Sequence, residues 1–376
     1  MPVDTFRSAL DIKTGEPLKP YTTFKIGGPA KYFITVRTPD ELRAALAWQK
    51  VQRLDLFVLG GGSNILISDR GFDGLVIHVA SEGLRVMSED AATVTLSIAA
   101  GEPWDGVVGD AVEHGWWGIE NLSHIPGQAG AALVQNIGAY GQQISDVLRS
   151  AEVMSVEAAE LKTLSAADCE FGYRKSIFNS MRKNRFVIVS LTLALAKHGQ
   201  PSLTYPDVKA YFKARGNSRP SLSEIRQAVV TIRDTKFPFP REERGGNAGS
   251  FFKNLALSGA EYEALAARLQ CEFGTAAFER LADIRNRFPS ADRIKIPTAF
   301  LMDLCGLKGF EEGRAKVNET QPLVLLNAGG ATAADVLRLA KQIRRAIYRR
   351  TGVEIPPEPE LVGFCQAELT ELMSLV

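Results

Sequence analysis

Cysteine and histidine are both scarce in this chain, four of each in 376 residues. Cys169, Cys271, Cys305 and Cys365 lie far apart and never form a C-x-x-C pair. That argues against a zinc site or a disulfide framework and for reduced thiols, as in a cytoplasmic protein. His78, His114, His124 and His198 show neither HExxH nor HxxxH spacing, so no metal centre is expected. An excess of one charge is missing as well. Lys plus Arg is 44 and Asp plus Glu is 43, so the net charge is +1, which gives no reason to expect nucleic acid or an acidic membrane as partner. No apolar run approaches the ~18 residues of a membrane span. The opening MPVDTFRSALDIKTGEP has no basic stretch followed by an apolar one, so it is not expected to be a secretory signal. The familiar nucleotide loops are absent too. There is no G-x-x-x-x-G-K-[ST], and G-x-G-x-x-G fails at 60–65 because Ile65 stands where the third glycine belongs. P-loop and Rossmann folds are therefore disfavoured.

What is present is ordinary for a globular chain: 45 % apolar and 23 % charged residues. At roughly 150 residues per domain, two or three domains are expected. Lys31–Thr35 reads as a strand. Thr38-Pro39-Asp40-Glu41 reads as a capping box opening a helix with Leu42, Ala45 and Leu46 on one face. Leu56–Leu59, Ile65–Ile67 and Leu75–Val79 are short apolar strands, with Gly60-Gly61-Gly62-Ser63-Asn64 between the first two. Thr93–Ile98 alternates with a period of two, residues 103–114 suit a helix, and Val147–Glu157 and Phe186–Ala194 suit strands. Ser221 and Glu224 form a second capping box, for a helix with Ile225, Ala228, Val229 and Ile232 on one face. Pro238-Phe239-Pro240 marks a junction. A last helix, Thr332–Arg350, carries Val336, Leu339, Ile343 and Ile347 on one stripe and is expected to stop at Gly352. Its arginines, Arg344, Arg345, Arg349 and Arg350, are expected to favour the negative end of the helix dipole and keep the outer face wet, rather than bind nucleic acid.

Four segments could carry chemistry. The glycine run 60–64 lets backbone N–H groups approach a phosphate, although such a run is as often a plain turn. Residues 116–141 hold eight glycines and alanines from Gly127 to Gly141. Either they leave a flat slot for a planar heterocycle with polar edges, such as a flavin, or they form a tightly packed loop. Arg174, in FGYRKS, could fork onto a carboxylate or simply lie on the surface. Ser250 sits between a glycine and two phenylalanines. No histidine follows His198, so a hydrolytic triad is disfavoured and Ser250 suits proton donation better than attack.

TFKIGGPA, LGGGSN, GIENLSHIPGQAGAALVQNIGAYG, CEFGYRKSIF, GNAGSFFKN, LVLLN and PEPELVGF occur in that order over residues 21–364. Together they resemble the UDP-N-acetylenolpyruvoylglucosamine reductase family. The resemblance implies an α+β protein: an FAD-binding domain of the vanillyl-alcohol-oxidase (PCMH) type in two α+β subdomains, plus a C-terminal α/β substrate-binding domain. The expected division is 1–80 with the tail 355–376, then 81–236, then 237–354. It implies a flavoenzyme of peptidoglycan precursor synthesis, with non-covalent FAD, NADPH as co-substrate and UDP-N-acetylglucosamine enolpyruvate as substrate. Such an enzyme is expected to be a cytoplasmic monomer without nucleic-acid or membrane partners. Residue by residue, Gly60, Gly61, Gly62, Ser63 and Asn64 would hold the FAD pyrophosphate. Pro126, Gly127, Asn136, Gly138 and Tyr140 would line the flavin. Arg174, Ser250 and Glu360 would be catalytic. Tyr173, Tyr205, Lys236, Asn254 and Gln321 would hold the UDP-sugar. Tyr205 matches a tyrosine present only in the type I subclass. The chain departs from the family pattern at Leu255, Val362 and Ala131-Ala132, and by two extra residues before GNAG.

Overall fold

The computed structural model describes residues 10–236, 245–287 and 293–375; the junction expected at Pro238–Pro240 lies outside them. The chain divides into two compact units that each draw on separate stretches of sequence. One gathers Met1–Glu16, Ala30–Gly62 and Asp73–Phe239, the other Pro17–Pro29, Ser63–Phe72 and Pro240–Val376. The Gly60–Asn64 run crosses that division after Gly62.

Among the described residues the first unit contains two larger sheets and a two-stranded hairpin. One has four strands in the order Lys13–Pro17, Pro29–Val36, Phe72–Val79, Leu56–Leu59. Its last pair is parallel, with Leu56 opposite Leu75 and Leu59 opposite His78. The helix Pro39–Gln52 lies in the connection from Val36 to Leu56, between strands that are not neighbours in this sheet, and Thr38 and Glu41 form its reciprocal capping box as the sequence predicts. The other sheet has five strands, Leu161–Ser165, Leu148–Ser155, Phe186–Ala196, Thr93–Ala99 and Leu84–Glu89 in that order, each paired antiparallel with its neighbour. Val94, Leu96 and Ile98 alternate into the core while Thr93, Thr95 and Ser97 do not, the two-residue period of a half-buried strand. They join Leu191, Leu193 and Leu195 in one apolar cluster with Trp104, Val107, Val108 and Ala111 of the helix Trp104–Glu113. A smaller cluster packs Val208 and Phe212 of the helix Pro206–Lys213 on Ile225, Ala228 and Val229 of the helix Leu222–Lys236.

The second unit is built around the helix Ala333–Thr351, whose Val336, Leu339, Ile343 and Ile347 are buried. Gly352 ends it in the left-handed conformation at φ 72°, as expected of a helix stop. Phe24, Ile26 and Leu66 belong to the same apolar cluster, although they come from far earlier in the chain. Asp69 reinforces the link, since its carboxylate accepts from the N–H groups of Ala333 and Ala334 at 2.8 and 3.0 Å.

One expectation is corrected here. Arg344 does not face water; it is 1 % exposed. Its Nε donates to the Ile355 carbonyl at 3.0 Å and its Nη1 to the Leu372 carbonyl. The 3.6-residue period puts position 344 next to Ile343 on the buried side, and a guanidinium with carbonyl partners can stay there.

Candidate functional site

In the first unit, the glycine run meets the turn at Pro126-Gly127. A Cβ on Gly61 would lie 2.6 Å from the Gly127 Cα, and one on Gly60 would lie 3.2 Å from the Gln128 side-chain oxygen. No side chain larger than hydrogen fits at 61, so the two backbones lie directly against each other. Gly127 itself has φ 119° and Gly62 φ 58°. The following stretch is not one continuous slot. Ala129–Val134 forms a short helix, because Ala-Gly-Ala-Ala-Leu-Val carries helix formers as well as small residues. Gly138–Ala139 and Gln142–Gln143 then pair as a small hairpin with Tyr140 and Gly141 at φ 49° and 88°.

These loops are held by side chains that the motifs do not reveal. Trp104 Nε1 donates to the Leu122 carbonyl at 3.1 Å. The Asp105 carboxylate accepts from the His124 N–H at 2.5 Å and from Arg226 at 2.7 and 3.0 Å. Burial pushes the Asp105 carboxyl up, yet Arg226 and the His124 N–H outweigh it and hold it below the ordinary carboxylate range. Arg233 donates to the His124 carbonyl at 2.8 Å and hydrogen-bonds Tyr140. Burial pushes the Tyr140 hydroxyl up to about 12 and also raises Tyr205. The two rings meet edge to face at 5.1 Å. Tyr205 directly precedes the helix Pro206–Lys213, and Lys236 pairs with Asp207 of that helix at 2.6 Å.

Arg174 occupies a tight turn in the same unit. Gly172 and Lys175 exchange backbone hydrogen bonds at 2.9 and 3.2 Å, which leaves Tyr173 and Arg174 at the tip. Arg174 is left-handed at φ 53°, a conformation that costs a non-glycine residue about 1 kcal/mol or more. Its surroundings enforce it: Asn179 donates to the Arg174 carbonyl at 3.1 Å, and the buried Ser176 hydroxyl donates to the Val134 carbonyl at 2.6 Å. Asn136 links this turn to the glycine-rich stretch through the Gly172 carbonyl at 3.3 Å, while its own oxygen accepts from the Ser145 N–H at 3.2 Å.

In the second unit, Ser250 follows Gly249, which is at φ 69°. Phe251 and Phe252 are wholly buried, with ring centroids 5.3 Å apart, so they anchor the segment that presents Ser250. Ser250 bridges to Val324, and Gln321 lies in the turn before it, where its carbonyl accepts from the Val324 N–H at 3.0 Å. Asn254 accepts from the Thr298 N–H at 3.1 Å. The tail runs between two partners. Lys253 N–H donates to Pro356 and Glu358 N–H to Phe251, at 3.0 and 2.8 Å. Glu360–Val362 then pairs parallel with Ile65–Ile67, and Glu360 N–H donates to the Asn64 carbonyl at 3.0 Å. Glu360 and Ser250 are therefore carried on adjoining segments.

These features fit an FAD. Backbone N–H groups without side chains at 60–62 suit a pyrophosphate. The buried Gln128 side-chain oxygen has no hydrogen-bond partner among the described residues, and it lies beside Gly60. Asp105, His124, Arg226 and Arg233 were missing from the sequence-derived set because their partners are distant in sequence; only the capping box that places the helix Leu222–Lys236 hinted at them.

A family model described as "UDP-N-acetylenolpyruvoylglucosamine reductase, C-terminal domain" matches residues 240–362, and one described as "FAD binding domain" matches residues 30–165. A UDP-N-acetylenolpyruvoylglucosamine reductase of Burkholderia multivorans is 40 % identical over 96 % of this chain and 99 % of its own length. One from Chromobacterium violaceum is 37 % identical over 93 % and 98 %. The crystal structure of UDP-N-acetylenolpyruvylglucosamine reductase from Thermus caldophilus superposes with a TM-score of 0.63 at 23 % identity, covering 94 % of this chain and 98 % of that one.

Proposed function

The chain belongs to the UDP-N-acetylenolpyruvoylglucosamine reductase family, and we propose that Arg174, Ser250 and Glu360 carry the reduction it performs. It is an FAD-dependent oxidoreductase that converts UDP-N-acetylglucosamine enolpyruvate to UDP-N-acetylmuramate in peptidoglycan precursor synthesis. FAD, when bound, supplies the hydride chemistry, with NADPH as the electron donor. The protein's own task is to manage charge and a proton. Hydride addition to the terminal carbon of the enol ether leaves negative charge on the α-carbon, which spreads into the substrate carboxylate. The Arg174 guanidinium offers two parallel donors and a positive charge to those oxygens, and its enforced turn holds it ready before substrate arrives. Glu360 shares that task only as a hydrogen-bond donor, with a proton on its carboxyl group, because an ionised carboxylate would repel the growing charge. The Ser250 hydroxyl gives its proton to the α-carbon.

The observation that carries this reading is the tail, hydrogen-bonded both to Phe251 and to Asn64, which sets Glu360 beside the Ser250 segment. Gly60, Gly61, Gly62, Ser63 and Asn64 are assigned to the pyrophosphate, and Pro126, Gly127, Asn136, Gly138 and Tyr140 to the flavin. FAD is held without a covalent bond, since neither His nor Cys occurs in 126–141. Tyr173, Tyr205, Lys236, Asn254 and Gln321 hold the UDP-sugar, and the tyrosine at 205 places the chain in the type I subclass. The enzyme works as a cytoplasmic monomer.

Ser250→Ala tests the assignment. It leaves reduction by NADPH near normal and slows the substrate half-reaction by ~10²–10⁴-fold, the usual cost of a lost proton donor. Stopped-flow absorbance of the flavin reads both halves. A variant slow with NADPH and normal with substrate would remove Ser250 from the role.

A further inference from the structure

The helix Leu222–Lys236 contributes three cations to three different partners. Arg226 grips Asp105, Arg233 reaches the His124 carbonyl, and Lys236 pairs with Asp207. Arg226 and Arg233 are seven residues apart, two turns of helix, so they lie on one face. Arg233 meets the short segment Leu122–Gln128 directly, and Arg226 meets it through Asp105. His124 is held from two sides, its N–H by Asp105 and its carbonyl by Arg233, and it sits at φ 60°, a conformation an L residue adopts only when it is held there. The next residues are Ile125, Pro126 and Gly127, and Gly127 packs against Gly61 with no room for a methyl group between them. The same segment is also pinned from the start of the helix Trp104–Glu113. Trp104 N–H donates to the Gly127 carbonyl at 3.0 Å, and Ala129 N–H donates to the Glu102 carbonyl at 2.9 Å.

We propose that Asp105 and Arg226 are positioning residues for the cofactor: their two-pronged ion pair fixes the His124–Gln128 turn, and through Gly127 the Gly60–Gly62 loop, in the shape that accepts FAD. The proposal rests on the assignment of those two glycine turns to FAD. The geometry separates Asp105 from a surface ion pair. Its two oxygens serve a backbone N–H and a guanidinium together, and both side chains are about three-quarters buried, at 28 and 24 % exposure. An exposed pair contributes little, whereas a fork of this kind that also holds a backbone group sets a geometry. A cofactor site tolerates little displacement, so loosening the turn weakens binding although neither residue touches the cofactor.

The test titrates FAD into protein stripped of flavin, following quenching of flavin fluorescence, and measures the flavin midpoint potential of the reloaded protein. Asp105→Asn keeps an acceptor for the His124 N–H and loses the ion pair; FAD affinity should fall ~3-fold. Asp105→Ala loses both and should fall at least ~10-fold, with a shifted potential, and Arg226→Lys should recover affinity relative to Arg226→Gln. Gly61→Ala is the independent arm, because its added carbon would collide with Gly127. Normal FAD affinity in Gly61→Ala overturns the assignment of these turns to FAD, and the proposal with it. Weak binding in Gly61→Ala beside normal affinity and potential in all Asp105 and Arg226 variants overturns the positioning role alone, even if those variants melt earlier. Should Asp105→Ala fail to fold, the Asn and Lys variants still decide.

Discussion

Tyr140 shows how burial of one residue reaches the behaviour of the protein. Its hydroxyl is pushed up to about 12 by burial, against 10.0 for an open tyrosine. An acid whose folded pKa is raised binds its proton more tightly in the folded state. Stability is therefore intact below pH ~10 and is lost as pH climbs toward ~12, by a few kcal/mol at most for a shift on the order of two pKa units. Cys169, pushed up to about 11 by burial, and Tyr205 act in the same direction. We expect urea unfolding of the first unit to weaken steeply above pH ~10, and Tyr140→Phe to flatten that slope; an unchanged slope would contradict the buried hydroxyl. At this scale the sequence was partly legible. Tyr140 and Arg174 stood out from their glycine-rich or aromatic neighbours, whereas the left-handed φ of Arg174 left no mark in its residue type. Asp105 and Arg226 did not stand out, because 121 residues separate them and an aspartate near a helix start reads as ordinary helix chemistry.

Among the elements, the legible ones carry their own local signals. Thr38 with Glu41 and Ser221 with Glu224 open helices as their spacing predicts, and the reciprocal hydrogen bonds are in place. The helix Gly259–Phe273 has the same kind of box in Ser258 and Glu261 and buries Tyr262, Leu265, Ala266 and Leu269 at helical spacing, so it too was legible although no helix was expected there. The short strand Leu84–Glu89 escaped because its side chains are mostly exposed, so no buried alternation marks it. The Asp69 carboxylate was also invisible: it serves the start of the helix Ala333–Thr351 from 264 residues away. Asp69→Ala should lower the stability of the second unit by ~0.5–2 kcal/mol, the usual value of a carboxylate at a helix N-terminus. Hydrogen exchange at Ala333–Asp335 should accelerate; protection equal to the parent protein would show that Thr332 caps the helix unaided.

For the whole molecule, the α+β class and the order of motifs were readable, and the family resemblance joined the tail 355–376 to 1–80. That 17–29 and 63–72 group with the C-terminal residues was not readable, since strand pairing between distant segments leaves no local mark. The second unit takes Phe24, Ile26 and Leu66 into its apolar cluster and pairs Ile65–Ile67 with Glu360–Val362. A fragment of residues 240–376, although it spans the C-terminal family match, should therefore not fold alone. Circular dichroism and dispersed amide resonances of that fragment would show otherwise.

The pairing of Ile65–Ile67 with Glu360–Val362 also sets a clock on biosynthesis. The first strand leaves the ribosome when the second has yet to be translated, and facing residues such as Ile65 and Glu360 lie 295 positions apart. At ~5–20 residues per second, that interval is about 15–60 s. Throughout it Phe24, Ile26 and Leu66 have no complete core to enter. The nascent chain must keep those apolar side chains from meeting other chains, so its yield in a cell depends on chaperone occupancy during translation as well as on the stability of the finished fold.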